Sequence, residues 1–177
     1  MKKDVKRNEI LHELLEYLKV IVIAVAFVFV VNKTLIVNAQ VTSGSMESTV
    51  MTGSRVLVNR QAYLFHEPER GDIVTFYCPD DLDKEYMKRI LALPGETIEG
   101  KDGTVYINGR KLEEPYIKIR FEHDFGPFHV PEDSYFMMGD NRNNSWDSRF
   151  WLDKYVKKSD IIGKAEFEYF PEIKKFF

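Results

Sequence analysis

The most constraining feature of the sequence is an unbroken apolar run of twelve residues, 20–31. A core helix of a soluble protein needs a polar face, and this run has none, which favours a membrane-spanning helix. With its flanks the apolar segment covers residues 17–37, about 30 Å of helix at ~1.5 Å per residue, which matches a bilayer core. We therefore predict a short N-terminal segment (1–16), a transmembrane helix (17–37) and a folded domain (38–177).

The positive charges are distributed unevenly about this run. Five Lys or Arg residues precede it, whereas Lys33 alone lies at its far edge. The positive-inside rule then predicts a single-pass plasma-membrane protein with a cytoplasmic N-terminus and an extracytoplasmic domain. A second interpretation stays open at this point. Residues 37–39 resemble a signal-peptide cleavage site, and cleavage there would leave a mature chain that starts at Gln40.

Beyond residue 34 the helical period gives way to a strand-like pattern. Short runs rich in β-branched and aromatic residues alternate with Gly, Pro, Asn and Asp turn signals, which predicts a mainly β fold, an antiparallel sheet or barrel. The sequence Ile-Asn-Gly-Arg at residues 107–110 is the clearest hairpin signal. Predicted strands lie at residues 55–58, 72–77, 86–95, 104–107, 134–138 and 165–169.

Charge and cysteine content exclude several classes of function. The formal net charge is −3, which argues against a nucleic-acid partner. Cys78 is the only cysteine in the sequence, so neither an intrachain disulfide nor a Cys-based metal cluster is possible. We interpret Cys78 as a small, half-buried hydrophobic residue in a strand.

A Ser-Gly-Ser-Met motif at residues 43–46 follows the apolar run. A serine hydroxyl such as that of Ser45 is a weak nucleophile and needs a base from elsewhere in the chain. The glycine permits close approach of a substrate, and Ser43 offers a second hydroxyl as a hydrogen-bond donor. Most short Ser/Gly runs are simple turns, so the catalytic interpretation depends on the base.

Both histidine and lysine are candidates for that base. A Ser-His-Asp triad is conceivable, although no histidine lies in a recognisable setting. The predicted strand 86–95 carries Lys88 next to Arg89, and neighbours on a strand point to opposite faces, so one of them faces inward if one face is core. A lysine against apolar surface has a lowered pKa and can act as a base. An exposed basic pair on an edge strand is the alternative. The histidines are His12, His66, His123 and His129.

A third segment, residues 139–149, is dense in Asp, Asn, Ser and Arg. Such residues hydrogen-bond their own backbone and one another, which is typical of a polar turn that satisfies itself. Asp147 and Arg149 are spaced to form an ion pair within it.

Taken together, these motifs resemble the bacterial type I signal peptidases (leader peptidases). The likeness covers nearly the whole chain, and a single membrane segment is similar to the Gram-positive form of the family. The motifs, in the family's order, are Ser-Gly-Ser-Met at 43–46, Arg-Gly-Asp-Ile-Val at 70–74, Lys-Arg-Ile at 88–90, Leu-Pro-Gly at 93–95, and Gly-Asp-Asn-Arg at 139–142 with Ser145, Asp147, Ser148 and Arg149.

The resemblance implies a role for each matching residue. Ser45 is the nucleophile, Lys88 is the general base, and Ser43 stabilises the oxyanion together with the backbone N–H of Ser45. The implied substrates are secretory preproteins, cleaved after small residues (Ala-x-Ala) without a metal, nucleotide or other cofactor. The implied supporting residues are Ser145, which orients Lys88, Asp147 and Arg149, which hold the site, Asp140 and Arg142, which share a structural motif, and Met46, which contacts substrate.

The chain departs from the family pattern at two places. The family usually has proline where this chain has Ser48, and usually has a glycine soon after the last motif, where this chain has residues 150–153. Two other functions stay open: a catalytically inactive, membrane-anchored β domain that binds partner proteins, and a specialised relative that processes one dedicated substrate.

Overall fold

The computed structural model describes residues 2–176, and for residues 2–11, 32 and 33 it describes the backbone only. The chain divides after Ile36 into two compact units. Within the described residues the first unit is one helix, α1 (Lys2–Thr34). Its segment His12–Val31 is long and apolar enough to cross a membrane, and the large apolar side chains along this segment are exposed. This exposure is what a lipid-facing helix requires.

The end of α1 differs from the prediction by three residues. The helix ends at Thr34, whereas the predicted span continued to residue 37. Ile36 and Val37 instead begin a strand, where β-branched side chains fit well. Hydropathy does not distinguish a helix end from an apolar strand that follows directly.

The second unit is built from short strands. They are β1 (Ile36–Gln40), β2 (Arg55–Asn59), β3 (Ile73–Cys78), β4 (Asp81–Ala92), β5 (Thr97–Lys101), β6 (Thr104–Ile107), β7 (Arg110–Lys111), β8 (Phe125–His129), β9 (Ser134–Met138), β10 (Val156–Lys157), β11 (Ile161–Phe170) and β12 (Lys174–Lys175). Within the described residues they form an eight-stranded sheet in the order β1-β2-β11-β3-β4-β9-β10, with β12 beside β11, and a four-stranded sheet in the order β7-β6-β5-β8.

The predicted β fold is confirmed, since all the predicted strands are present. β3, β4 and β9 pair antiparallel at the centre of the large sheet, and the Asn-Gly turn joins β6 to β7 with Ile107 opposite Arg110. The missed elements are the two-residue strands β7, β10 and β12 and the five-residue strands β1, β5 and β8. The Phe-Gly-Pro-Phe-His sequence of β8 contains two residues that disfavour strands. Cys78 is fully buried at the end of β3, not half-buried.

β4 is the strand that positions the site, because apolar side chains cover both of its faces. Met87 packs against a cluster that contains Met46 and Val50. Ile90 lies in a second cluster with Trp151, and Leu91 lies in a third, between the two sheets. Burying each such side chain stabilises the fold by about 1.5–3 kcal/mol, so β4 is held firmly where its basic residues occur.

Candidate active site

The Ser-Gly-Ser-Met motif folds into a tight turn that presents Ser45 to β4. A single 3₁₀ turn spans Gly44–Met46, entered from Ser43 in extended conformation. Lys88 Nζ donates a hydrogen bond to Ser45 Oγ at 2.6 Å. Ser45 is 7% exposed and Lys88 is 3% exposed, so water is largely excluded from the pair.

Burial changes the acid–base chemistry of Lys88. Because desolvation disfavours the ammonium, the pKa of Lys88 falls from 10.5 to about 8, although the charge of Asp147 acts in the opposite direction. At neutral pH about one tenth of the molecules then carry a neutral amine. In the neutral state the same contact can run from the Ser45 hydroxyl to the lysine nitrogen, which is the geometry of a general base.

Ser43 lies beside Ser45. Its hydroxyl is 3.3 Å from Ser45 Oγ, and either oxygen can donate. This contact places a side-chain donor within reach of an anion that forms where Ser45 attacks. Its role in stabilising an oxyanion stays a prediction.

A cavity of about 310 Å³ opens next to Ser45 and Lys88. Met46 and Met87 contribute apolar surface to it, together with residues of β1. β4 pairs with β3 from Asp81 to Arg89 and with β9 only from Arg89 onward. Among the described strands, none covers the edge of β4 before Arg89, so a groove for an extended chain lies beside the pair.

Asp147 and Arg149 form the ion pair that their spacing indicates. Arg149 Nε and Nη2 lie 2.8 and 2.9 Å from the two oxygens of Asp147. The same carboxylate accepts the Gly139 N–H at 3.0 Å, and Arg149 Nη2 also donates to the Arg142 carbonyl at 2.8 Å. Both side chains are buried, so the pair fixes the polar segment 139–149 internally.

Asp140 links this segment to β4. Its two oxygens accept hydrogen bonds from Arg89 Nε and Nη2 at 2.9 and 2.6 Å, and Thr49 Oγ1 donates to Oδ2 at 2.5 Å. Either Lys88 or Arg89 was expected to face inward if one face of the strand was core, whereas both are buried. The expectation of one covered face was wrong, because both faces of β4 are covered.

Two contacts join the polar segment directly to the turn that carries Ser45. Asn141 donates from its backbone N–H to the Ser45 carbonyl at 3.0 Å and from Nδ2 to the Gly44 carbonyl at 3.0 Å. Gly139 permits this approach, since a Cβ there would lie 2.4 Å from the Ser45 carbonyl oxygen and 2.3 Å from Ser145 Oγ. Asn141 belongs to the Gly-Asp-Asn-Arg motif, but its contacts with the Ser45 turn were not predicted from the sequence.

Arg142 has a charged partner in the structure, whereas Ser145 has no hydrogen-bond partner among the described residues. Arg142 forms a buried ion pair with Glu114, and Glu114 was missed because nothing in its local sequence marks it. Ser145 Oγ is buried and has no hydrogen-bond partner among the described residues, so the contact with Lys88 implied by the resemblance is not formed.

The histidines of the second unit do not line the cavity that holds Ser45; they are His66, His123 and His129.

The two departures from the family pattern have clear local structures. Ser48 has φ of 82°, a left-handed backbone conformation closed to proline, whose ring fixes φ near −65°. The second departure is the segment 150–153, in which Trp151 is buried in the core. The backbone N–H groups of Leu152 and Asp153 donate to the carboxylate of Asp80, both at 3.0 Å. Asp80 therefore holds residues 152 and 153 in place.

Comparison with known proteins gives a consistent set of relatives. Signal peptidase I S of Bacillus subtilis (strain 168) is 40% identical over 169 residues, which cover 89% of this chain and 90% of that protein. Signal peptidase I of Bacillus licheniformis is 38% identical over 176 residues, covering 93% and 94%. A crystal structure of a signal peptidase I from Enterococcus faecalis V583 is 35% identical with a TM-score of 0.49, covering 55% of this chain and 96% of that one.

The family model described as signal peptidase, peptidase S26, matches residues 14–170. This range contains every motif of the sequence analysis and the whole hydrogen-bonded site around Ser45. The chain therefore belongs to the signal peptidase family, peptidase S26.

Proposed function

We propose that the protein is a membrane-anchored serine endopeptidase that removes signal peptides from secretory preproteins by means of a Ser45/Lys88 dyad. The observation that carries this proposal is the 2.6 Å contact between Lys88 Nζ and Ser45 Oγ. Among the described residues no carboxylate forms an ion pair with Lys88, so no direct ion pair stabilises its protonated form. The lowered pKa of Lys88, about 8, suits a base that works near neutral pH.

The reaction follows from the positions of these groups. Neutral Lys88 accepts the Ser45 proton as Oγ attacks the carbonyl carbon of the residue before the cleavage site. Ser43 Oγ–H and the Ser45 backbone N–H donate to the resulting oxyanion. The Lys88 ammonium then protonates the departing amine, which leaves an acyl-enzyme on Ser45. Lys88 finally deprotonates a water that hydrolyses this ester and restores the serine, so no metal or nucleotide takes part.

The cavity supports the choice of substrate. A preprotein in extended conformation can add as a strand in the groove between β1 and the uncovered edge of β4. Side chains alternate along such a strand, so those at positions −1 and −3 face the same side. A cavity of about 310 Å³ with Ala39, Val41 and Met46 in its wall favours small side chains at both positions, as in Ala-x-Ala.

The supporting residues position the dyad through hydrogen bonds and ion pairs and do not react with the substrate. Ser145 Oγ has no partner among the described residues, and we infer that it accepts a hydrogen bond from Lys88 during the reaction, a contact that the resting structure lacks. Asp147 and Arg149 keep Ser145 in place by fixing the segment that carries it. Asp140 and Arg142 do the same through Arg89 and Glu114.

The proposed topology places the N-terminus in the cytoplasm and residues 38–177 outside the plasma membrane, with α1 in the lipid bilayer. It rests on the excess of Lys and Arg before the apolar run. Protease added to intact protoplasts is expected to digest the β domain and to leave a short N-terminal fragment protected. Full protection of the domain would contradict this topology, and a mature chain starting at Gln40 would identify residues 1–39 as a signal peptide.

The decisive test of function is cleavage itself. Protein in detergent is incubated with a preprotein whose signal peptide ends in Ala-x-Ala, and the new N-terminus is sequenced. We expect one cut directly after the second alanine and no cut with Ser45→Ala. Binding without cleavage would identify an inactive binding domain. A panel of preproteins in which one is processed would identify a specialised relative.

A further inference from the structure

One hydroxyl in the cavity is not used by the proposed reaction. Thr75 lies in the middle of β3 and is 6% exposed. It lines the same cavity as Ser45 and Lys88. Its Oγ1 atom is buried and has no hydrogen-bond partner among the described residues. A buried hydroxyl without a partner destabilises a protein, so its position in a cavity wall calls for a partner that arrives with the ligand.

The surroundings of Thr75 make this hydroxyl distinctive. It lies opposite Met87 in the register of β3 and β4, and Val41 and Met46 add further apolar wall. The two serine hydroxyls of the cavity are 3.3 Å apart and can satisfy each other, and Thr42 at the cavity wall is exposed to water. Thr75 Oγ1 is therefore an unsatisfied polar atom beside the apolar side chains of Val41, Met46 and Met87, in a cavity whose wall also contains polar residues such as Asn38 and Gln40.

We propose that Thr75 is a specificity-determining residue that improves the cleavage of substrates with a small hydroxyl-bearing side chain, serine or threonine, relative to the apolar counterpart at position −1 or −3. The proposal rests on the signal-peptidase function proposed above and refines its substrate class. Against the apolar part of the wall, a substrate hydroxyl would lose its hydrogen bonds to water without replacement. Beside Thr75 each hydroxyl can donate to or accept from the other, directly or through one water, so both are satisfied.

The test compares substrates that differ only in the hydroxyl. Peptides based on Ala-x-Ala carry Ala, Ser, Val or Thr at −1 or at −3, one position at a time, and kcat/KM is measured for each. The quantities of interest are the Ser/Ala and Thr/Val ratios within one enzyme, because a general loss of activity cancels in them. Thr and Val have nearly the same shape, so their ratio isolates the hydroxyl.

For the wild-type enzyme we expect these ratios, at one of the two positions, to exceed those of Thr75→Val by about three- to tenfold, the value of one net hydrogen bond. Thr75→Ser, which keeps a hydroxyl, is expected to retain most of the preference. Thr104→Val makes the same chemical change in β6, outside the cavity lining, and is expected to leave the ratios unchanged.

Equal ratios for wild type and Thr75→Val at both positions would overturn the proposal, as would loss of the preference in Thr104→Val. Cleavage of the Ala-x-Ala peptide separates the two levels of inference. If the wild type cleaves it and the ratios do not respond to Thr75, only the role of Thr75 is wrong. If the wild type cleaves none of the peptides, the proposed function fails and the role of Thr75 falls with it.

Discussion

Lys88 and Arg89 are neighbours on β4, equally buried at 3% exposure, yet their environments differ sharply. Lys88 donates to the neutral hydroxyl of Ser45, whereas Arg89 binds both oxygens of Asp140. Burial lowers the pKa of Lys88 to about 8. Burial also acts to lower the pKa of Arg89, but the hydrogen bond and charge of Asp140 outweigh it, so that pKa is raised. A carboxylate in contact, more than burial, decides which cation can release its proton.

The position of Asp147 sharpens this comparison. Its charge acts on Lys88 and raises the lysine pKa, but its oxygens are occupied by Arg149 and the Gly139 N–H. A direct ion pair with Lys88 would hold the ammonium in its charged form and oppose catalysis. Because the Arg149 guanidinium binds the Asp147 carboxylate, this carboxylate does not pair with Lys88, and burial still lowers the pKa of Lys88.

The largest expected effect is that of Lys88→Arg, which makes the two neighbours alike in charge and basicity. Arginine stays protonated because its pKa lies above 12, so it cannot accept the Ser45 proton. We expect kcat to fall by about 10³-fold or more, close to the loss in Ser45→Ala, with an unchanged circular dichroism spectrum. Substantial turnover by this variant would refute the Ser/Lys mechanism and return attention to His66, His123 and His129.

Replacing each cation by methionine is expected to separate activity from stability. Arg89→Met leaves Asp140 buried without its cation, which costs about 3–5 kcal/mol of unfolding free energy. Lys88→Met leaves no ion pair broken, so stability should be unchanged or higher while activity is lost. Thermal unfolding in detergent measures the stability of both variants. Equal destabilisation of the two would show that Lys88 and Arg89 contribute alike to stability and would contradict this prediction.

The pH dependence of wild-type stability provides a control for that pair. The pKa of Lys88 is lowered from 10.5 to about 8, so between these values the unfolded chain binds a proton that the folded protein has released. The contribution of Lys88 to stability therefore increases as the pH rises through this window and is constant below it. The stability advantage of Lys88→Met over wild type should shrink from pH 8 toward pH 10.

An intermediate effect is expected for Asp147→Asn, which removes the charge that raises the pKa of Lys88. In wild type the rate should rise with pH along a limb with an apparent pKa near 8. Because the carboxylate favours the ammonium, the limb of Asp147→Asn should lie at lower pH. Loss of the buried ion pair with Arg149 should also lower the unfolding temperature. A reduced rate with an unmoved limb and unchanged stability would instead indicate a direct catalytic role for Asp147.

The smallest effect is expected for Thr49→Val, which acts on the Arg89 side alone. This variant removes the 2.5 Å hydrogen bond from Thr49 Oγ1 to Asp140 and should cost about 1 kcal/mol of stability. Since Asp140 keeps Arg89, the pH–rate limb of Lys88 should not move. A shifted limb would show that the two faces of β4 are electrostatically coupled.

The sequence allowed much of this arrangement to be predicted, because its local signals agree with the fold. The apolar run, the Asn-Gly hairpin and the β-branched runs each depend on neighbouring residues, and each corresponds to an observed element. The resemblance to signal peptidases brought Ser45 and Lys88 together although 43 positions separate them. The geometry of their contact is consistent with the roles assigned to them, which remain to be tested.

Other features depend on tertiary contacts that no local pattern reveals. Glu114 approaches Arg142 from a loop 28 positions away, and its own surroundings in the sequence are those of an ordinary surface acid. Arg89 is buried because the polar segment folds over the second face of β4. The unpartnered hydroxyls of Ser145 and Thr75 likewise follow from packing, not from their neighbours in the chain.

The left-handed backbone at Ser48 has a consequence for exchanging parts between relatives. A serine at φ of 82° bears a conformational cost of about 1–3 kcal/mol, and a proline cannot occupy the position at all without moving the peptide units on either side. Restoring the family's usual residue here is therefore not a point change. A chimera with an enzyme that has proline at this position would therefore have to carry residues 47–49 as one block.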